Sequence, residues 1–208
     1  MKDISDSYLE KDLEKDLTRN RDVFDANARL EELEKLEKRE IPEVNGFDKS
    51  GVLTTDEVKN YLATEFPKVH LENIPKIDYT DNFVKANENH YVAGTHDPET
   101  GEIEVYRQSP DGNYDSEEMK RTISHEVGHD VYNHLDPEIQ SKWNELSDDR
   151  KTEDCVSERA TVSAKEDFAE TYADYMRDPL RLELTNFDKE VFMSKYIFNG
   201  REYEPRGI

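Results

Sequence analysis

The sequence predicts an α+β domain in which a small sheet lies beside one strongly patterned helix, with a helical second half and a charged helical arm in front. Three observations predict it. Hydrophobic residues make up 34% of the chain and charged ones 38%, so a core can form only where the apolar residues are concentrated. Aromatic and β-branched residues gather between Tyr61 and Tyr203, whereas the first forty residues are mostly Asp, Glu, Lys, Arg and Leu. Strand-like runs at 76–79, 90–95 and 101–107 precede a stretch of helical periodicity that begins near Asp115. The expected division is an arm over 1–44 and a domain over 45–208.

In the arm, Leu9, Leu13 and Leu17 recur every four residues, and Leu30, Leu33 and Leu36 every three. Charged residues fill the spaces between them. This pattern suits a solvated helical arm that packs one narrow stripe; a self-associating coiled coil is the alternative. Either way the arm offers too little apolar surface to complete the domain core, and the chemistry is expected without it. Ile41-Pro42 and Asn45-Gly46 break the pattern and mark the boundary.

Within the domain, Thr54-Thr55-Asp56-Glu57 fits a capping box opening a short helix through Phe66, which Pro67 ends. Lys76 to Tyr79 reads as a strand. His90–Thr95 and Gly101–Arg107 read as two strands around a turn from Asp97 to Gly101. Asp115 or Ser116 starts a helix through His134, with Met119, Ile123, Val127 and Val131 on one side. Asp136-Pro137 fits an N-cap and first-turn proline for a helix to about Leu146. A polar connection follows to Glu158, then a helix over 163–177 stopped by Asp178-Pro179. A last helix spans roughly Phe187 to Phe198.

The net charge of −22 repels phosphate backbones and anionic lipid, which argues against nucleic-acid and membrane partners. It favours cationic partners without identifying one. Cys155 is the one cysteine, so no intrachain disulfide can form and a Cys-rich zinc module is excluded. The start MKDISDSYLEKD holds no apolar stretch resembling a signal peptide, and no later stretch approaches membrane-spanning length. The expectation is a cytoplasmic or otherwise soluble protein of a reducing compartment, with export by a route lacking a cleavable signal left open.

His125-Glu126-Val127-Gly128-His129 has the pattern HExxH, inside the best-patterned helix of the chain. Helix positions i and i+4 lie about 40° apart and about 6 Å along the axis, so both imidazoles can reach one ion. Glu126 is turned about 100° from His125, near enough to take a proton from a water at that ion without ligating it. A catalytic zinc keeps three protein ligands and one open position. His134 cannot be the third from the same continuous helix, since it lies about 140° round from His129. Glu166 and Glu170 share a face of the next long helix. One of them suits the ion, and the other suits the free N–H of a ligand histidine. The competing role for Glu166 is helix capping, because Ser163-x-x-Glu166 is itself a capping box. Beside a helix that lacks a third ligand, the metal role is favoured.

HExxH followed by a glutamate-bearing helix of this form resembles the gluzincin metallopeptidases. The stretch Glu166-Asp167-Phe168-Ala169-Glu170 is most similar to the peptidase domain of the anthrax lethal factor-like proteins. The resemblance covers roughly Lys76 to Phe198 and implies a zincin-like fold and hydrolysis of peptide bonds with Zn2+ as cofactor. By it His125, His129 and Glu166 are ligands, Glu126 is the general base, and Glu170 stands behind a ligand histidine. It also implies that the edge strand of the hairpin over 90–107 binds an extended protein or peptide substrate. The family often carries a tyrosine seven residues before the ligand glutamate, where this chain has Arg159. Arg159 is thus a candidate to polarise the substrate carbonyl; the alternative, weighed slightly higher, is that it faces solvent or pairs with a carboxylate while Tyr196 or Tyr203 supplies the donor. His90 and His96 are not demanded as ligands, and Cys155 is either a thiolate capping the zinc or a bystander. Two rivals stand beside the peptidase. One is a weakly active zinc-binding fold serving as an interaction module, docked through the arm. The other is a protease acting on DNA-bound protein, which the charge opposes.

Overall fold

The computed structural model describes residues 41–86, 91–108, 115–148 and 155–199. The arm over 1–40, His90 and Tyr203 lie outside the described residues. The compact unit to which the described residues belong begins at Ile41. Its first strand is β1 (Glu43–Asn45).

β1 pairs in parallel with β2 (Lys76–Thr80), which pairs in parallel with Ile103–Tyr106. Between these in sequence, β3 (Val84–Lys85) and β4 (Tyr91–Val92) form a separate antiparallel pair, and β5 is Gly94–His96. Numbered in order, Ile103–Tyr106 is β6, and the sheet runs β1-β2-β6-β5 with β5 antiparallel at one edge. The predicted hairpin is present, turning at Asp97, whose carboxylate accepts from the amides of Glu99 and Thr100. Gly101 completes the turn at φ 73, where a Cβ would lie 2.2 Å from the Asn73 carbonyl oxygen.

Alternation along the strands sends Ile77, Tyr79, Ile103 and Val105 to one buried face. Helix α1 (Thr55–Glu65) closes one side of the core. It opens on the predicted capping box, with Thr54 and Glu57 each bonded to the other's backbone amide. Helix α2 (Ser116–Asn133) is capped by Asp115 and buries Met119, Ile123, Val127 and Val131, the stripe that its spacing predicts. Burying side chains of this size stabilises by roughly 1.5–3 kcal/mol each.

Helix α3 (Pro137–Asp148) and helix α4 (Ala164–Arg177) supply the second half of the core. The Trp143 indole N–H donates to the Ala164 carbonyl at 2.8 Å. Ser147 and Lys189 both donate to the buried Asp167 carboxylate, at 2.8 and 2.7 Å. These bonds fix the first turn of α4. Two short helices follow, α5 (Pro179–Thr185) and α6 (Phe187–Phe192), and α6 passes into a π turn over Met193–Ile197. The helix expected through Phe198 is therefore α-helical only in its first part, and α5 was not anticipated because Asp178-Pro179 reads as a stop. It is also a start: the Asp178 side chain caps it, with Pro179 in its first turn. Among the described residues no helix is long and apolar enough to cross a membrane.

Candidate metal centre

The site lies where α2 meets α4. Three adjacent rows run along α2, each advancing four residues at a time. The row Met119–Ile123–Val127–Val131 faces the core. The row Arg121–His125–His129 faces α4, and the row Thr122–Glu126–Asp130 faces β5. One helix thus separates His125 and His129 from the carboxylate between them by a turn of about 100°.

His125, His129 and Glu166 each offer a ligand atom, and those atoms lie within 4.8 Å of one another. Glu166 Oε2 is 3.5 Å from His125 Nε2, and Glu166 Oε1 is 3.5 Å from His129 Nε2. Tetrahedral ligands about 2.0–2.1 Å from a shared zinc stand roughly 3.3–3.4 Å apart, so the spacing fits a common ion. A second observation agrees. His125 Nε2 is buried and makes no hydrogen bond, a costly state that a bound cation relieves. Two imidazoles with one carboxylate suit zinc among divalent ions better than magnesium or calcium, which prefer oxygen.

Gly128 makes the approach of the two helices possible. A Cβ there would meet Ala169 Cα at 3.1 Å and Tyr172 Cβ at 3.2 Å. Ser163 caps α4 by accepting from the Glu166 amide at 3.1 Å, so half of the expected capping box is present. The Glu166 carboxylate turns to the histidines instead. The residue thus serves the cap with its backbone and the site with its side chain.

Glu170 Oε1 is 3.0 Å from His125 Nδ1, a charge contact whose alignment falls short of a hydrogen bond. The other Glu170 oxygen accepts from Arg121 Nη2. His129 Nδ1 is buried without a hydrogen-bond partner. Arg159 lies in a single 3₁₀ turn (Arg159–Thr161), and its Nε donates to Glu166 Oε2 at 2.8 Å.

Burial works against charge throughout this cluster, and the neighbours decide the outcome. On His125 burial is outweighed by the Glu166, Glu170 and Glu126 carboxylates, which raise its pKa to about 9. On His129 burial and the adjacent His125 charge act together and lower it to about 3, leaving a neutral imidazole. Burial alone would raise Glu166, yet His125, His129 and Arg159 hold it at about 2. Glu170 is likewise held well below the usual range by His125 and Arg121 against its burial. Glu126 is different: it is 2% exposed, and burial raises its pKa despite His125 and Arg159.

Gly94 of β5 rests on Glu126, where a Cβ would stand 3.0 Å from the Glu126 carboxylate and 2.9 Å from Thr122 Cγ2. Next along the strand, His96 Nε2 is 3.1 Å from Asp130 Oδ1, both side chains being buried. His96 therefore ties the edge strand to the helix, apart from the cluster of His125, His129 and Glu166. Ala93 O accepts from Tyr106 N, and Asp97 N donates to Glu102 O. By the alternation of an antiparallel ladder, Gly94 and His96 turn their backbone N–H and C=O to the side of β5 away from β6, where no further strand pairs among the described residues.

The other expected residues fall outside the cluster. His134 is the C-cap of α2, half-exposed, with Nδ1–H donating to the Asp130 carbonyl. Cys155 lines a cavity of about 200 Å3 with Asp174, Arg177 and Arg181, and is not among the residues placed to share the ion. Tyr196 packs on Phe192 and lies under Lys142 and Lys195. Sequence spacing gives no sign of Gly94 or of the His96–Asp130 pair. Only Arg121 left a signal, standing four residues before His125 in the same row. No protein-family model and no curated protein matches the chain.

Proposed function

We propose that this protein is a zinc-dependent metalloendopeptidase, with His125, His129 and Glu166 as ligands and Glu126 as general base. The observation that carries it is the convergence of two imidazoles and one carboxylate within 4.8 Å, with a second, buried carboxylate on the neighbouring row of the same helix. Bound zinc supplies a Lewis acid that acidifies a water in the site and polarises a carbonyl. Glu126 accepts the proton from the attacking water and returns it to the departing amine nitrogen as the peptide C–N bond breaks. Burial raises its pKa above the usual carboxylate value, the direction that favours accepting the proton. Gly94 and His96 turn backbone donors and acceptors to the side of β5 away from β6. An extended peptide adding there as a strand would pass Glu126, against which Gly94 is packed.

Support for a second function comes from Arg159. Its guanidinium occupies one oxygen of Glu166, which suits a zinc-binding fold that turns over weakly and works as an interaction module. Metal analysis combined with cleavage of a generic unfolded protein separates the two. Wild type is expected to carry about one zinc per chain and to cleave, and Glu126→Gln to keep the zinc and lose cleavage. Zinc without cleavage in the wild type favours the module. Full retention of zinc by His129→Ala places the metal elsewhere.

A further inference from the structure

Opposite the row Arg121–His125–His129 stands a matching row on α4: Glu166, Glu170 and Asp174, also four residues apart. The rows interlock. Glu166 lies against both histidines, Glu170 lies between His125 and Arg121, and Asp174 lies against Arg121. Arg121 Nη2 donates to Glu170 Oε2 at 2.5 Å, and Arg121 Nε donates to Asp174 Oδ1 at 3.3 Å. The second Glu170 oxygen is the one 3.0 Å from His125 Nδ1.

Each oxygen of this buried carboxylate therefore meets a different partner. A carboxylate touching only a ring nitrogen can rotate about its last torsion, and a buried anion without a cation is expensive. A planar guanidinium joined by a short charge-assisted bond removes both freedoms at once. Without it Glu170 would be held by His125 alone, free to turn about its last torsion toward water. His125 would then lose the carboxylate that lies against its Nδ1.

We propose that Arg121 is a positioning residue of the metal centre: its guanidinium fixes Glu170, and through Glu170 it aims His125 Nε2 at the point shared with His129 and Glu166. This role rests on the metal centre proposed above. Asp174 accepts from Arg121 Nε one turn farther from His125 and is not needed for the aim. That difference separates positioning from a mere bridge between α2 and α4.

The test uses the full chain. Zinc affinity is measured by chelator competition, and Co2+ binding by its visible absorption. Melting of the metal-free protein and the ring 15N signals of His125 and His129 are followed alongside. Arg121→Ala is expected to weaken zinc about 10–100-fold and to alter the Co2+ spectrum, with Arg121→Lys recovering part of the loss. Asp174→Asn is expected to stay within about threefold of wild type. In the metal-free protein, Arg121→Ala is expected to speed exchange of the proton on His125 Nδ1 while leaving the His129 signals in place. If Arg121→Ala folds poorly, Arg121→Gln carries the same comparison. Equal losses of affinity and melting temperature in Arg121→Ala and Asp174→Asn would reduce Arg121 to a bridge and overturn the proposal. So would unchanged His125 ring signals. Should wild type bind neither zinc nor cobalt, the metal centre itself falls, and the metal-free ring signals still decide whether Arg121 orders His125.

Discussion

Arg159 Nε donates to Glu166 Oε2 at 2.8 Å, so the carboxylate proposed as the third ligand already carries a cation. The pair is half-exposed on the arginine side, and such pairs contribute at most about 1 kcal/mol. Arg159→Ala is therefore expected to change zinc affinity by less than about fivefold and turnover by less than about tenfold. Steady-state kinetics with parallel zinc titration checks this. A hundredfold fall in turnover at unchanged zinc content, about the loss expected for one oxyanion donor, would make the guanidinium the group that polarises the substrate carbonyl.

Glu166 and Glu170 are expected to separate in a metal titration. Glu166→Gln removes a charge that meets both histidine Nε2 atoms, whereas Glu170→Gln alters the support of one ring. Loss of such a supporting group typically costs about 10–100-fold in affinity, and Glu166→Gln should cost more. The opposite order would exchange their roles.

Two glycines should fail in different ways. In Gly128→Ala the new methyl presses on Ala169 and Tyr172, forcing α2 from α4, and overpacking of this kind costs about 1–3 kcal/mol. Lower stability and weaker zinc binding are expected together. In Gly94→Ala the methyl presses on Thr122 and Glu126 instead, so turnover should fall while zinc is kept. Metal content and melting temperature, measured beside activity, distinguish them. Loss of zinc in Gly94→Ala would mean that β5 supports the ligands as well as the base.

Acid should weaken the fold through His70. This buried ring sits between the Tyr172 hydroxyl, 2.8 Å from Nδ1, and the Ile197 carbonyl, 3.1 Å from Nε2. Burial lowers its pKa to about 4, outweighing the bond to Ile197. The unfolded chain binds the proton more readily, so His70 contributes full stability above about pH 6.5 and loses it as pH falls toward 4. The shift corresponds to roughly 3 kcal/mol at its limit. Denaturant unfolding at several pH values should show a steeper decline between pH 6.5 and 4 for wild type than for His70→Gln. Parallel curves would remove His70 as the cause.

What the sequence determined by itself is local in origin. Hydrophobic spacing placed α2 and its buried stripe, the capping residues at Thr54, Asp115 and Ser163 opened the helices, and the four-residue interval brought His125 and His129 to one side. Each depends only on backbone geometry within a few turns, which short-range pattern records directly. The tertiary structure decided everything that depends on one element facing another. Glu166 had a capping and a ligand role open to it, and only the approach of α4 at Gly128 turned its carboxylate toward the histidines. The order β1-β2-β6-β5, the seating of Gly94 on Glu126, and the joining of Arg121 to Glu170 unite residues up to dozens of positions apart. Periodicity assigns a side chain to a face; it carries no record of which face of another element will be packed against it. That is settled by close packing of the whole core.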